Sequence, residues 1–268
     1  MILVTGYKGF IGKNLFDKLI QLNYSITGLD DEYFLEEDWR GRLKKYLNDK
    51  SPSFVFHVGA CSDTLETDVN YMLTRNYEST RIISSWCERN GVGLVYSSSA
   101  ANYGSTGHLP TNLYGWSKKI AEDFVLLKGG VALRYFNVFG PGEEGKGRMA
   151  SVAYQSWIRN KGGEKIKLFP GRPTRDFIYV RDIVEANISA MKNYRSIFGG
   201  YYDVGTGVSS PFEDVLENLN IPYTYTDRLE IPKGYQFFTQ ANSSKFLRGW
   251  EPRWTLSSAL SDYKKYLD

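Results

Sequence analysis

The sequence has little of what would tie a protein to a membrane, an oxidising compartment or nucleic acid. It has only two cysteines among 268 residues, which is too few for a disulfide framework and suits a reducing compartment. No apolar run approaches the ~20 residues that span a bilayer, and the first residues leave no room for a signal peptide. The net charge of +3 is too small to indicate nucleic acid. We therefore expect a soluble cytoplasmic protein without a membrane partner, a nucleic-acid partner or a metal.

What the sequence does have is a regular alternation of short apolar strands and helical segments. The strands are predicted at residues 1–5, 25–29, 53–58, 93–96 and 131–139. Strands that alternate with helices form a parallel, doubly wound (Rossmann) sheet. Beyond residue 141 the alternation becomes irregular. We predict an α/β fold with a first domain of residues 1–141, completed by a return segment at about 176–206, and a smaller α/β C-terminal lobe of residues 142–175 and 207–268.

A glycine-rich turn follows the first strand and opens the first helix. Gly6, Gly9 and Gly12 have the spacing of a dinucleotide fingerprint, in the strand–turn–helix context that such a fingerprint requires. Gly6 would permit the tight turn, Gly9 the approach of a pyrophosphate, and Gly12 close helix packing. The same spacing also occurs in a simple tight turn, but its position directly after a buried strand favours cofactor binding. Phe10 and Ile11 are predicted contacts in the same turn.

Polar and small residues end the next strands. Asp30 and Asp31 follow the second strand, where an acid usually binds the adenosine ribose and favours NAD. Arg40 and Arg42 are near enough in sequence for a phosphate-binding role to stay open. Further cofactor contacts are predicted at the end of the third strand and on the following helix, predicted around residues 71–89, at Gly59, Ala60, Cys61 and Asn76.

A tyrosine and a lysine four residues apart begin a predicted helix. Tyr114 and Lys118 would share one helical face. An ammonium nearby favours a phenolate and would lower the tyrosine pKa from about 10, so the pair can shuttle a proton. An isolated tyrosine and lysine at this spacing are more often an ordinary tyrosine and a solvated surface lysine. The serines at residues 97–99 strengthen the functional interpretation, because open α/β sheets place their chemistry at the carboxyl ends of strands.

Together these motifs resemble the extended short-chain dehydrogenase/reductase family of nucleotide-sugar enzymes. The resemblance covers nearly the whole chain, and its blocks are Thr5-Gly6-x-x-Gly9-x-x-Gly12, Ser97-Ser98-Ser99-Ala100, Tyr114-x-x-x-Lys118, Arg134-Tyr135-Phe136-Asn137-Val138 and Arg175-Asp176-Phe177-x-Tyr179-Val180-x-Asp182. Narrower blocks, at His57-x-Gly59-Ala60-Cys61-Ser62 and Gly145-Lys146-Gly147-x-Met149, are similar to the ADP-heptose 6-epimerase subfamily. Arg148 and Gln155 depart from that subfamily, which has serine and histidine there.

The resemblance implies a tightly held nicotinamide cofactor, NADP with NAD as the alternative. A hydride would leave the sugar, the ketosugar would turn, and the hydride would return to its other face. Tyr114 would be one acid/base and Lys146 a second one, the alternative being a flexible loop lysine. The remaining implied roles are catalysis by Ser99, ribose binding by Lys118, cofactor contact by Val138, and substrate binding by Asn137, Arg148, Gln155, Phe169, Arg172, Arg175 and Tyr235.

The expected substrate is a nucleotide-diphosphate sugar, with ADP-D-glycero-D-manno-heptose and epimerisation at carbon six favoured. Another 4-epimerase, reductase or dehydratase of the family stays open. A dehydratase is disfavoured because the residues after Ser99 lack an Asp-Glu pair. An inactive dinucleotide-binding sensor or scaffold is the alternative of another class. We also expect a homo-oligomer.

Overall fold

In the computed structural model, which describes residues 1–105, 107–231 and 235–267, a six-stranded parallel sheet forms the centre. Its strands run in the spatial order β10-β5-β4-β3-β1-β2. They are β1 (Ile2–Thr5), β2 (Ile26–Leu29), β3 (Phe54–His57), β4 (Gly93–Ser99), β5 (Val131–Tyr135) and β10 (Tyr201–Val204). Since β2 and β3 lie on opposite sides of β1, the strand order reverses there, and ligands bind beyond the carboxyl ends of strands at such a point.

Helices cover both faces of this sheet, which confirms the doubly wound fold. The chain forms α1 (Phe10–Gln21), α2 (Trp39–Lys50), α3 (Val69–Leu73), α4 (Ser79–Asn90), α5 (Leu113–Leu127), α6 (Val152–Lys161), α7 (Val180–Lys192), α8 (Tyr194–Ile197), α9 (Phe212–Asn218) and α10 (Leu256–Leu267). Val4 packs on one face with Leu15 of α1, and its neighbour Leu3 packs on the other with Leu43 of α2. Consecutive strand residues point to opposite faces, so both faces require an apolar cover.

A second core lies in the C-terminal part of the chain. It joins α6, α9 and α10 through buried side chains that include Trp157, Leu216 and Tyr263. The short strands β6 (Asn137–Phe139), β7 (Ile166–Leu168), β8 (Thr174–Arg175), β9 (Phe177–Tyr179), β11 (Ser210–Pro211) and β12 (Tyr223–Tyr225) pair in twos beside it. The division of the chain into two domains at residue 141 stays a prediction.

Two predicted elements are interrupted. The strand predicted over residues 131–139 breaks at Phe136, whose backbone N–H still bonds to Val204 in the central sheet. The next residue, Asn137, bonds instead to Asp176, so β6 leaves for a separate pairing with β9. The helix predicted over residues 71–89 contains a π-helical turn at Thr74–Glu78. No helix among the described residues is long and apolar enough to cross a membrane.

Candidate active site

The glycine turn brings two backbone segments into contact at the carboxyl end of β1. A Cβ atom on Gly6, whose φ is +64°, would lie 2.5 Å from the Cα of Gly59. A Cβ atom on Gly12 would lie 1.9 Å from the carbonyl oxygen of Gly6. Side chains at these positions would therefore force the turn away from Gly59 and from α1, so the turn has the close packing that a dinucleotide fingerprint requires.

A cavity extends from this turn along the ends of the strands; we call it the dinucleotide cavity. Most of the predicted cofactor contacts line it, namely Gly6, Gly9, Phe10, Ile11, Gly12, Asp30, Asp31, Gly59, Ala60, Cys61 and Lys118. Asp30 accepts hydrogen bonds from the backbone N–H of Lys8 (2.8 Å) and of Asp31 (2.9 Å), which fixes its carboxylate at the edge of the glycine turn.

Asn76 does not line the dinucleotide cavity but supports its wall. Its amide accepts a hydrogen bond from the Cys61 N–H (2.7 Å) and donates one to the Cys61 carbonyl (2.9 Å). It donates a third to the Ser117 hydroxyl of α5 (2.9 Å). Asn76 is 1% exposed, so its role in this structure is to hold the segment that follows β3.

Sequence reasoning missed a second support beneath the same wall. Buried His57 hydrogen-bonds Thr5 through Nδ1 (2.7 Å) and Thr80 through Nε2 (2.8 Å). Burial, with the nearby charge of Lys118, lowers the pKa of His57 to about 3. The imidazole is therefore neutral and links the glycine turn to α4. Its position inside the His57-x-Gly59-Ala60-Cys61-Ser62 block was the available signal.

Tyr114 and Lys118 stand one turn apart on α5, as predicted. The helix is capped by Asn112, whose side chain accepts from the Gly115 N–H at 2.8 Å. Burial lowers the pKa of Lys118 to about 7, although Glu122 opposes this shift. Burial also raises the pKa of Tyr114, which a hydrogen bond with Ser99 partly offsets. The expected net acidification of the phenol by Lys118 is thus wrong for this state, because desolvation outweighs the hydrogen bond with Ser99.

Beneath the serines of β4 lies a buried charged network that sequence reasoning also missed. Fully buried Glu122 pairs with Arg134 and accepts hydrogen bonds from Ser98 (2.7 Å) and Asn102 (2.9 Å). The network fixes the turn that follows Ser99, whose own hydroxyl accepts from the Ala101 N–H at 3.1 Å. Because these partners come from three separate segments, no local sequence pattern predicts the network.

A second cavity adjoins the first; we call it the substrate cavity. Ser99, Asn137, Val138 and Arg148 line it, as do Tyr114 and Lys146, which line the dinucleotide cavity as well. The two predicted acid/base groups therefore both border the junction of the two cavities. Val138, predicted to contact the cofactor, lines only the substrate cavity, because the chain has left the central sheet after Phe136.

Lys146 lies in a 3-10 turn, Glu144–Met149, that borders both cavities. Its Nζ is 5.2 Å from the centre of the Phe10 ring in the glycine turn. Burial lowers the pKa of Lys146, and the buried Glu143 opposes that shift. Arg148 of the same turn forms a 2.5 Å ion pair with Asp63, which joins the turn to the segment after β3.

Gln155, predicted to contact substrate, does not line the substrate cavity. Its amide donates to the carbonyls of Ala150 (2.6 Å) and Arg148 (3.2 Å). The structure does not bring this residue to the cavity, and its contact with substrate stays a prediction. Its donor group is satisfied by the backbone that follows Lys146, so it supports that turn.

The other predicted substrate residues form a cluster beside the substrate cavity rather than in its lining. The Arg175 guanidinium lies 5.4 Å from the ring of Tyr235, which contacts the ring of Phe169 at 5.1 Å. The cluster adjoins the cavity through Phe212, 5.3 Å from Arg175. Arg172 is exposed, with its guanidinium 3.6 Å from Asp214, and does not line the cavity.

Comparison with known proteins identifies the family. A model described as the NAD dependent epimerase/dehydratase family matches residues 2–205. The chain belongs to this family. Recognition of the family from its motifs is thereby confirmed, and NAD, given above as the alternative to NADP, is the cofactor that membership supports.

Individual family members are similar over their full lengths. An ADP-L-glycero-D-manno-heptose-6-epimerase of Brachyspira hyodysenteriae is 32% identical over 318 aligned positions, covering 100% of this chain and 98% of the relative. The crystal structure of the Helicobacter pylori ADP-L-glycero-D-manno-heptose-6-epimerase has a TM-score of 0.86 at 26% identity, with 99% and 95% of the two chains covered. The Thermotoga maritima UDP-glucose 4-epimerase, solved with UDP-glucose, has a TM-score of 0.86 at 24% identity, with 99% and 97% covered, which shows the shared fold alone.

Proposed function

We propose that this protein is an NAD-dependent epimerase of a nucleotide-diphosphate sugar, converting ADP-D-glycero-D-manno-heptose into ADP-L-glycero-D-manno-heptose. The observation that carries this proposal is the position of Tyr114 and Lys146 at the junction of the two cavities. Epimerisation by oxidation and reduction needs proton transfer on both faces of the reacting carbon, and two separate groups at one junction supply it. The full-length relative named above supports the choice of sugar.

The glycine turn, Asp30 and Lys118 would hold the cofactor. When bound, the nicotinamide would supply the hydride acceptor for oxidation of the sugar carbon and the hydride donor for its reduction. Gly6 and Gly12 allow the tight turn that would bring the N-terminus of α1 to the pyrophosphate, and the Asp30 carboxylate can accept hydrogen bonds from the ribose hydroxyls. Asn76 would keep the Cys61 segment in place against the cofactor.

Tyr114 would move the first proton. Its phenol, neutral in this structure because burial raises its pKa, lies beside Ser99. A positive charge next to the phenol lowers its pKa, so Tyr114 would release its proton to solvent more readily when oxidised cofactor occupies the cavity. The phenolate then takes the proton of the sugar hydroxyl, while Ser99 hydrogen-bonds the same oxygen.

Lys146 would serve the other face of the rotated ketosugar. Burial lowers the pKa of its ammonium, which favours release of a proton to the oxygen that forms there. Asn137 and Arg148 line the same cavity and would contact the substrate. Arg175 and Tyr235 would bind the nucleotide diphosphate, since a guanidinium suits a diphosphate.

The test is to incubate the purified protein with ADP-D-glycero-D-manno-heptose and follow the L-glycero epimer by NMR, with Tyr114→Phe as the control. We expect conversion without added cofactor. Conversion of a UDP-hexose at carbon four alone would overturn the choice of sugar and leave the chemistry intact. A stoichiometric demand for NADH would indicate a reductase, and bound NAD without turnover of any sugar would indicate a sensor.

A homo-oligomer is part of the proposal. Trp116 and Leu127 on α5 are 44% and 76% exposed, and apolar side chains on a helix that flanks the sheet are suited to contact a second copy. Light scattering at several protein concentrations gives the mass. A monomer at every concentration would contradict this part alone.

A further inference from the structure

A recess opens off the dinucleotide cavity at the end of β2. It shares Gly6, Asp30, Asp31, Gly59 and Ala60 with that cavity. Its other walls include the rings of Tyr33 and Phe34 and the side chain of Arg75. The recess is about 10 Å³, which is too small for a heteroaromatic ring, so a bound ligand would lie in the dinucleotide cavity beside these walls. The neighbouring acids suit ribose hydroxyls.

Arg75 reaches this recess from the π-helical turn Thr74–Glu78. Its guanidinium carbon lies 3.8 Å from the centre of the Tyr71 ring and 4.8 Å from that of Phe34. Contact with two rings restrains the guanidinium. Single π-helical turns often occur at functional sites, and the next residue, Asn76, already supports the cavity wall.

Arg75 differs from the other cations nearby in its hydrogen-bond partners. Lys8 pairs with Glu32, Arg40 with Glu78 and Arg42 with Glu36. The Arg75 Nε, by contrast, is buried and has no hydrogen-bond partner among the residues that the structure describes. A buried donor left unpartnered is costly, so it indicates an acceptor that the protein alone does not supply.

We propose that Arg75 binds the adenosine half of the dinucleotide, donating from its N–H edge to an acceptor of that half. The inference rests on the proposed function, because it presumes that the cavity binds a dinucleotide. Arg40 and Arg42 are not available for this role, because both are exposed and held in ion pairs with glutamates. Asp30 and Asp31 then face the ribose, with Arg75 partly balancing their negative charge.

The test compares two probes on the full chain freed of bound nucleotide. NADH carries the adenosine half, and reduced nicotinamide mononucleotide lacks it. Binding is followed by nicotinamide fluorescence for the wild type, Arg75→Met, Arg75→Lys and the matched control Arg40→Met. Methionine keeps much of the aliphatic packing and removes the donors, whereas lysine keeps the charge and removes the planar edge.

We expect Arg75→Met to weaken NADH binding about ten- to hundred-fold, as for a lost charged hydrogen bond, and to leave mononucleotide binding unchanged. Arg75→Lys should lie between Arg75→Met and the wild type, and Arg40→Met should match the wild type. Unchanged NADH binding by Arg75→Met overturns the inference, as does an equal loss for both probes. If the wild type bound neither probe, the proposed function itself would fail, which is a distinguishable result.

Discussion

The ammonium nitrogen of Lys118 lies 4.4 Å from the centre of the Tyr96 ring, and the two side chains are 2% and 1% exposed. A cation over an aromatic face is attracted to it, but it has left water, and desolvation disfavours its charge. This is why the pKa of Lys118 falls to about 7. The lysine that should bind the ribose is therefore near half-protonation at neutral pH when no ligand is present.

Protein stability should consequently rise with pH above 7 in the ligand-free protein. Lys118 titrates near 7 when folded and near its ordinary 10.5 when unfolded. Between these values the unfolded chain binds more protons, so the free energy of unfolding increases with pH, by about 1.5 kcal/mol from pH 7 to 8.5. Urea denaturation at several pH values measures the slope. In Lys118→Met the rise in the free energy of unfolding from pH 7 to 8.5 should be smaller by about 1.5 kcal/mol. An unchanged rise would contradict the depressed pKa.

Replacing Tyr114 with phenylalanine should separate chemistry from binding. The phenol is the proposed proton acceptor, whereas the cavity wall around it is retained. We expect turnover to fall by about 10²- to 10⁴-fold, the usual size of a general acid–base contribution. Cofactor content, measured by mass spectrometry after denaturation, should match the wild type. A fully active variant would remove Tyr114 from the mechanism.

Lys146 and Lys165 provide a matched comparison of two lysines in the C-terminal part of the chain. Lys146 borders both cavities, and Lys165 is exposed and lines neither. Lys146→Met should lower turnover by about 10²-fold or more and leave the melting temperature unchanged, whereas Lys165→Met should leave both unchanged. Equal activity of the two variants would assign Lys146 to the loop-lysine alternative.

Gly12 should tolerate no side chain. Alanine there would put a Cβ 1.9 Å from the Gly6 carbonyl oxygen, which forces the backbone of the turn apart. We expect a loss of roughly 3 kcal/mol or more in the free energy of unfolding and no bound cofactor. At Gly162 a Cβ would make an ordinary contact at 3.4 Å, so Gly162→Ala should change stability by less than about 1 kcal/mol. Chemical denaturation and nucleotide content measure both, and a Gly12→Ala protein as stable as its control would contradict the tight turn.

Local patterns predicted the parts of the fold that depend on neighbours in sequence. The glycine spacing at residues 6–12 places a turn between β1 and α1, and the four-residue interval puts Tyr114 and Lys118 on one face of α5. The break at Phe136 and the π-helical turn at Thr74–Glu78 escaped prediction. In the first case the decisive hydrogen bonds come from Val204 and Asp176, far along the chain.

The sequence by itself determined the order of strands and helices, the glycine turn and the family, because each rests on short-range periodicity or on a motif. Only the tertiary structure decided which distant groups lie together. Lys146 and Tyr114 both border the junction of the cavities, Gln155 hydrogen-bonds the backbone after Lys146, and Arg75 lies with the rings beside Asp31. It also reversed the expected acidity of Tyr114. The physical reason is that a pKa depends on how much water and charge surround a group, and folding sets both through segments that are remote in sequence.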